Sequence, residues 1–124
     1  FKPRIGVVGL NPHCESILEH NEDTEVILPV VNSLQKNFLV KGPIPSDTIF
    51  LKNNRKNFDV IIGMYHDQVL TPIKTLYEYD AINITIGLPF LRVTPDHGPN
   101  EIMVGKNKSN PLSLIKAISF LDKK

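Results

Sequence analysis

Two histidines come directly after apolar runs of the kind that form buried strands. His13 follows the run at residues 4–9, and His66 follows the run at residues 58–64. Because α/β proteins place their chemistry at strand ends, the two imidazoles are candidate ligands for a divalent metal. The alternative is two unrelated, hydrogen-bonded histidines, and spacing alone does not decide between them. A catalytic metal needs about three protein ligands, and His97 is a possible third.

Three further side chains, Lys74, Asn83 and Arg92, suit an anionic substrate. Lys74 is expected on a helix, where it either binds phosphate or is simply solvated. Arg92 calls for a bidentate anionic partner, and the alternative is a structural ion pair with Asp96. Asn83 begins a strand and either donates to substrate or fixes a loop. Asp47 is either the cap of a short helix or a carboxylate that faces the site.

The composition excludes several classes of protein. The chain has 124 residues, a formal net charge of +1 and one cysteine. The lysines are dispersed, so we expect no nucleic-acid partner. An intrachain disulfide is impossible, which favours a reducing compartment, and the cytoplasm is the predicted location. There is no signal-peptide pattern and no apolar run long enough to span a bilayer, so no membrane association is expected.

Strands alternate with helices along the sequence, which predicts one α/β domain over residues 1–124 with a mainly parallel sheet. The run at 58–64 is apolar throughout, so the central strand is expected there. Pro29 predicts a helix that is kinked or that starts around it. The predicted strands are 4–9, 38–40, 58–64 and 82–86, the predicted helices are 22–36, 46–51 and 67–76, and the predicted loops are 42–45 and 94–105.

A last helix is predicted from Asn110 and Pro111, with the asparagine as N-cap and the proline at the first helical position. The stretch at 87–92 is expected to be irregular or edge-like because it contains a proline. The apolar residues of the last helix are expected to form its buried face; they are Leu112, Ile115, Ala117, Ile118 and Leu121.

Five sequence blocks occur in an order that is specific to one enzyme family. They are Gly-Leu-Asn-Pro-His at 9–13, Gly-Pro-Ile-Pro-Ser-Asp-Thr at 42–48, Met-Tyr-His-Asp-Gln at 64–68, Asn-Ile-Thr-Ile-Gly-Leu-Pro-Phe-Leu-Arg at 83–92 and Asp-His-Gly at 96–98. On these blocks the chain resembles the C-terminal part of 4-hydroxythreonine-4-phosphate dehydrogenase, the PdxA family of vitamin B6 biosynthesis. The chain starts with Phe-Lys-Pro and no methionine, and we expect a fragment of a larger subunit.

The resemblance implies a three-layer α/β/α fold with a mainly parallel sheet, similar to the isopropylmalate dehydrogenases. Proteins with that fold bind NAD without the usual glycine-rich dinucleotide-binding motif. Residues 6–9 of this chain do not complete that motif, and the resemblance explains its absence. It also implies a homodimer whose active site uses residues of both subunits. The family's third metal histidine and a His-Thr substrate pair lie N-terminal to anything in this sequence.

The resemblance also assigns roles to individual residues. His13 and His66 are the expected ligands of a divalent metal (zinc, magnesium or cobalt), and His97 is then no longer preferred as a third ligand. Asp47 is a candidate for proton transfer. The expected substrate-binding residues are Lys74, Asn83 and Arg92, and the expected NAD- or NADP-binding residues are Asp96, His97, Gly98 and Asn100.

The implied reaction is oxidation of 4-phosphooxy-L-threonine by NAD or NADP, with loss of carbon dioxide to give 3-amino-2-oxopropyl phosphate. We expect the fragment to be inactive on its own. One alternative is a related dehydrogenase of another phosphorylated hydroxy acid, such as 4-phosphothreonate. The other is a domain without activity that only binds metal or forms dimers.

Overall fold

The computed structural model describes residues 1–14 and 20–122, and the chain divides into two compact units, Phe1–Pro72 and Ile73–Lys124. In the first unit the elements are β1 (Arg4–Val8), a π-helical turn (Asp23–Ile27), α1 (Leu28–Leu34), β2 (Leu39–Ile44), α2 (Ser46–Ile49), α3 (Lys52–Arg55) and β3 (Val60–Ile62). Helix α4 (His66–Tyr77) comes next, followed by β4 (Ile82–Thr85), β5 (Arg92–Pro95), a 3₁₀ turn (Glu101–Met103) and α5 (Leu112–Asp122).

The first unit is built on a parallel sheet in the order β2-β1-β3. The register of β1 and β2 shifts after Gly6, and Val8 then pairs with Ile44. Gly42 lies in the shifted region of β2, where a Cβ would come within 2.6 Å of the Val7 carbonyl oxygen. The close approach of the two backbones therefore requires glycine at this point.

The alternating side chains of β1 face two different layers, as the period of two in a strand requires. Val7 packs with Ile27 and Val31 of the helical segment on one face. On the other face, a Cβ at Gly6 would lie 2.8 Å from Cδ1 of Ile49, a residue that is completely buried. The first unit thus has helices on both sides of the sheet, with the apolar core on β1.

An ion pair joins the beginning of β1 to the residue before β3. The Arg4 guanidinium donates to both carboxylate oxygens of Asp59, at 3.0 and 2.8 Å, and the Arg4 backbone N–H donates to the same carboxylate at 2.8 Å. These hydrogen bonds favour the charged carboxylate and lower the pKa of Asp59 to about 2.

The second unit contains an antiparallel hairpin covered by α5. Strand β4 pairs with β5, and Thr85 lies opposite Arg92. Helix α5 turns Ser113 and Ala117 towards the hairpin, and both are buried. Because both side chains are small, the helix approaches the strands closely.

The predicted α/β fold is confirmed, and so are several of its elements. Helix α4 matches the helix predicted at 67–76 within a residue at each end. Helix α1 starts next to Pro29, as the proline indicated. The Asn110 side chain accepts the backbone N–H of Leu112 at 2.9 Å, so it caps α5. The prediction of a single domain over residues 1–124 stays a prediction. None of the described helices is long and apolar enough to cross a membrane.

Several predictions of local structure were wrong. The central strand of the sheet is β1, and β3 lies at an edge with Val60 and Ile62 each 43% exposed. The predicted loop at 42–45 mostly continues β2, and the predicted loop at 94–105 overlaps the end of β5. Of the five residues expected to form the buried face of α5, only Ala117 is buried. The helix instead buries the small side chains at positions 113 and 117, which allow it to approach the hairpin closely.

Candidate functional site

His13 lies on a turn that begins directly after β1. The backbone N–H groups of Leu10 and Asn11 donate to the Asp23 carboxylate at 2.7 and 2.8 Å. The Asn11 side-chain oxygen then accepts the N–H of His13 at 3.1 Å, and its carbonyl accepts the N–H of Cys14 at 3.0 Å. The turn is therefore closely fixed by hydrogen bonds, while the His13 side chain is exposed.

His66 is the first residue of α4 and follows β3 by a short connection. Its Nδ1 lies 2.8 Å from a carboxylate oxygen of Asp67, and both side chains are more than three-quarters exposed. With Nδ1 donating to the carboxylate, Nε2 is left as the nitrogen that can bind a metal. A carboxylate on the second ring nitrogen also makes the imidazole a better ligand.

The two histidines therefore follow neighbouring parallel strands, β1 and β3, at the carboxyl edge of one sheet. Exposed imidazoles at such an edge fit a zinc-like divalent metal. Within residues 1–14 and 20–122, no three His, Cys, Asp or Glu side chains form a complete metal-binding group. The metal pair of His13 and His66 therefore stays a prediction.

A cavity of about 310 Å³ lies at the start of α4 in the same unit. Asp47, Tyr65, Asp67 and Gln68 are among the residues that line it. Asp47 lies in the first turn of α2, whose N-cap is Pro45, and no side chain caps that helix. The capping role considered for Asp47 is therefore wrong, and Asp47 instead lines the cavity.

In the second unit, Lys74 is bound to an acidic residue. Its Nζ lies 2.9 Å from Oδ2 of Asp96, whose side chain is 13% exposed. The Asp96 backbone N–H donates at 2.8 Å to the hydroxyl of the buried Ser113, which in turn donates to the Ala81 carbonyl. The alternative that paired Asp96 with Arg92 is wrong, because Arg92 instead donates to Thr85 and the ion pair of Asp96 is with the lysine.

Arg92 and Asn83 lie on the hairpin with exposed side chains. Arg92 donates to the hydroxyl of Thr85, its cross-strand partner, at 2.9 Å. In the segment that follows β5, His97 donates from Nδ1 to the carbonyl of Gly98 at 3.1 Å. The Arg92 guanidinium, which uses one N–H for Thr85, retains further N–H donors for an anion.

Two residues of the first unit are prominent in the structure but were not singled out in the sequence. Asp23 is 1% exposed and Gln68 is 6% exposed, and each binds the backbone of a turn that carries a histidine. The signal for Gln68 was its place in the Met-Tyr-His-Asp-Gln block. Asp23 resembled an ordinary acidic residue in the first turn of a helix.

Comparisons with known proteins give one consistent result. The family described as "Pyridoxal phosphate biosynthetic protein PdxA" matches residues 1–121. The 4-hydroxythreonine-4-phosphate dehydrogenase of Bradyrhizobium diazoefficiens is 45% identical over 122 residues, which are 96% of this chain and 35% of that protein. The D-threonate 4-phosphate dehydrogenase of Cupriavidus necator is 41% identical, over 94% of this chain and 36% of that protein.

A solved structure agrees with these sequence matches. The 4-hydroxythreonine-4-phosphate dehydrogenase of Klebsiella pneumoniae superposes with a TM-score of 0.77 at 38% identity, covering 96% of this chain and 37% of that one. The chain thus spans little more than a third of the length of the proteins it matches.

Proposed function

The chain belongs to the PdxA family, and from this premise we propose that it forms part of a metal-dependent 4-hydroxythreonine-4-phosphate dehydrogenase of vitamin B6 biosynthesis. The secondary alcohol of 4-phosphooxy-L-threonine gives a hydride to NAD or NADP and loses a proton. The resulting β-keto acid releases carbon dioxide and leaves 3-amino-2-oxopropyl phosphate. The observation that carries the proposal is the position of His13 and His66 after two neighbouring parallel strands.

In this proposal His13 and His66 bind the divalent metal, which supplies Lewis-acid polarisation of a substrate oxygen. The hydrogen bond between His66 and Asp67 orients the imidazole and selects Nε2 as its ligating nitrogen. Asp47, which lines the cavity at the start of α4, accepts or returns a proton. Asp67 is less suited to that task, since its carboxylate is already bound to the imidazole.

The cationic residues of the second unit bind the phosphorylated substrate. Lys74 is fixed by Asp96, so less side-chain entropy is lost when an anion binds. Arg92 is oriented by Thr85 and can offer a planar pair of N–H donors to a phosphate. Asn83, exposed on β4, offers amide hydrogen bonds to the same substrate.

The remaining parts of the proposal concern the cofactor and the assembly. We assign NAD or NADP contacts to the segment after β5, namely to Asp96, His97, Gly98 and Asn100. We further propose a cytoplasmic homodimer with an active site that uses both subunits. The cofactor assignment is supported by the family match and by the position of this segment directly after β5, the strand that carries Arg92.

A chimaeric enzyme tests the proposed function. Residues 1–121 would replace the matching segment of the Bradyrhizobium diazoefficiens relative, and NADH formation would be followed at saturating 4-phosphooxy-L-threonine with added zinc. We expect His66→Ala to abolish turnover. His20→Ala is the matched control, because His20 is an exposed histidine that pairs with Glu25 and has no proposed role in the site. A chimaera that is equally active with and without His66 contradicts the proposal.

A second activity is favoured by one comparison. The Cupriavidus necator relative is named as a D-threonate 4-phosphate dehydrogenase and is nearly as similar to this chain. The same chimaera would be assayed in parallel with 4-phosphooxy-L-threonine and D-threonate 4-phosphate. Preference for the second compound would reassign the substrate while keeping the reaction class.

A further inference from the structure

Gln68 uses both ends of its side-chain amide inside the protein. Its Nε2 donates to the carbonyl of Gly9 at 2.7 Å, and its Oε1 accepts the backbone N–H of Met64 at 2.7 Å. The residue is 6% exposed. A buried amide with both ends satisfied has one rotamer and one orientation, because a flip would place two donors or two acceptors face to face.

The two backbone groups that Gln68 binds belong to the turns that carry the histidines. Gly9 directly follows β1 and precedes His13 by four residues, and Met64 precedes His66 by two. No strand hydrogen bond joins these turns, since β1 and β3 pair only between Ile5 and Val7 on the β1 side. Gln68 therefore extends the connection between the strands beyond the end of their ladder.

The β1 side of this connection is itself rigid. The Gly9 N–H donates to the Ile44 carbonyl at 3.1 Å, and the next two N–H groups donate to the buried Asp23 carboxylate. Gln68 thus acts on a turn that has little freedom of its own. A change at Gln68 is therefore transmitted to the relative position of the two turns, because the turn after β1 cannot absorb it locally.

We propose that Gln68 is a positioning residue that sets the separation of the His13 and His66 turns and so prepares the two imidazoles to bind one divalent metal. This inference rests on the proposed function, in which the two histidines are ligands. When the two imidazoles are already positioned, metal binding does not have to supply the free energy that orders the turns. In a variant without the amide, metal binding must supply that free energy, so the affinity for the metal falls.

The test is a zinc titration of the 124-residue chain by calorimetry at a temperature where every variant is folded. Gln68→Met keeps the length of the side chain and removes both hydrogen bonds, and we expect zinc affinity to fall ten- to a hundredfold, about the range for residues that support metal ligands. Gln68→Glu keeps the acceptor for Met64 but replaces the donor to Gly9, and it should weaken zinc binding in the same direction.

Gln35→Met is the matched control. Gln35 also donates from its amide to a backbone carbonyl, that of Val40 at 3.1 Å, but Val40 lies near the start of β2, whereas the histidine turns follow the carboxyl ends of β1 and β3. We expect its zinc affinity to stay within twofold of the unmodified chain, even if its melting temperature falls. A purely structural Gln68 would behave like Gln35, with a lower melting temperature and unchanged affinity.

Single histidine variants separate the two levels of the argument. If His13→Ala and His66→Ala bind zinc as tightly as the unmodified chain, the metal pair is wrong and the proposed function fails with it. If both lose zinc while Gln68→Met and Gln68→Glu retain it, the metal pair stands and the positioning role is overturned. If Gln68→Met does not fold, Gln68→Glu decides the question alone, because it preserves volume and one of the two hydrogen bonds.

Discussion

The substitution Gly9→Ala should destabilise the first unit far more than a single methyl group normally does. A Cβ at this position would lie 2.5 Å from Sγ of Cys14 and 2.8 Å from Oδ1 of Asp23. Both distances are well inside van der Waals contact, so at least one neighbour must move. The carboxylate is not free to do so, because it accepts two backbone N–H groups from Leu10 and Asn11.

The expected cost follows from these two effects. Overpacking of a filled site costs about 1 to 3 kcal/mol. A hydrogen bond to a charged group contributes about 1.5 to 3 kcal/mol, and its partial loss as Asp23 shifts adds to the strain. We therefore expect the free energy of unfolding to fall by about 2 to 4 kcal/mol.

Guanidinium unfolding followed by circular dichroism measures this cost. Gly98→Ala is the matched control, since a Cβ there meets nothing within 4 Å, and its effect should not exceed about 1 kcal/mol in either direction. In an Asp23→Ala background the cost of Gly9→Ala should shrink, because one of the two colliding groups is gone. If Gly9→Ala is as stable as the unmodified chain, or costs the same with and without Asp23, the steric argument is refuted.

Two further predictions concern other parts of the fold. Because the Arg4 interaction lowers the folded-state pKa of Asp59 to about 2, its stabilising effect is complete above the unfolded pKa of about 4 and is lost as the pH falls from there towards 2. Unfolding measured from pH 2 to 6 should show a gap between the unmodified chain and Asp59→Asn that closes towards pH 2, and a constant gap would contradict the linkage. Ser113→Ala should cost about 1 to 3 kcal/mol because it leaves the Ala81 carbonyl without its hydroxyl donor, whereas Ser119→Ala on the exposed face of α5 should cost less than about 0.5 kcal/mol; equal effects would show that the buried hydroxyl contributes nothing.

Local sequence signals predicted the elements whose stability is local. The apolar run of β1, the Asn110 cap and the proline that starts α1 were all visible in the sequence, and the structure confirms them. Strand β5 was missed because its four residues, Arg-Val-Thr-Pro, contain a proline and carry no apolar run. Its strand conformation comes from pairing with β4, and such pairing is a tertiary interaction that periodicity does not reveal.

The same distinction between local sequence signals and tertiary interactions applies to the residues around the candidate site. The sequence alone identified His13, His66 and Asp47 as candidates, because their residue types suggest chemistry and their positions adjoin predicted elements. The hydrogen bond from Gln68 to Gly9 spans 59 residues of sequence, and that from Leu10 to Asp23 spans 13. No local pattern encodes such contacts, so supporting residues of this kind were recognised only in the structure.

The buried polar side chains of the described residues share one property: each binds the backbone of a segment that carries proposed site residues. They are Asp23, Gln68 and Ser113. Asp23 binds the His13 turn, Gln68 binds the turns of both histidines, and Ser113 binds Asp96 at its N–H. Burying a polar group costs free energy unless it is hydrogen-bonded, and all three of these side chains are hydrogen-bonded. Each therefore stabilises the fold and, by the same hydrogen bonds, fixes the backbone beside a proposed site residue.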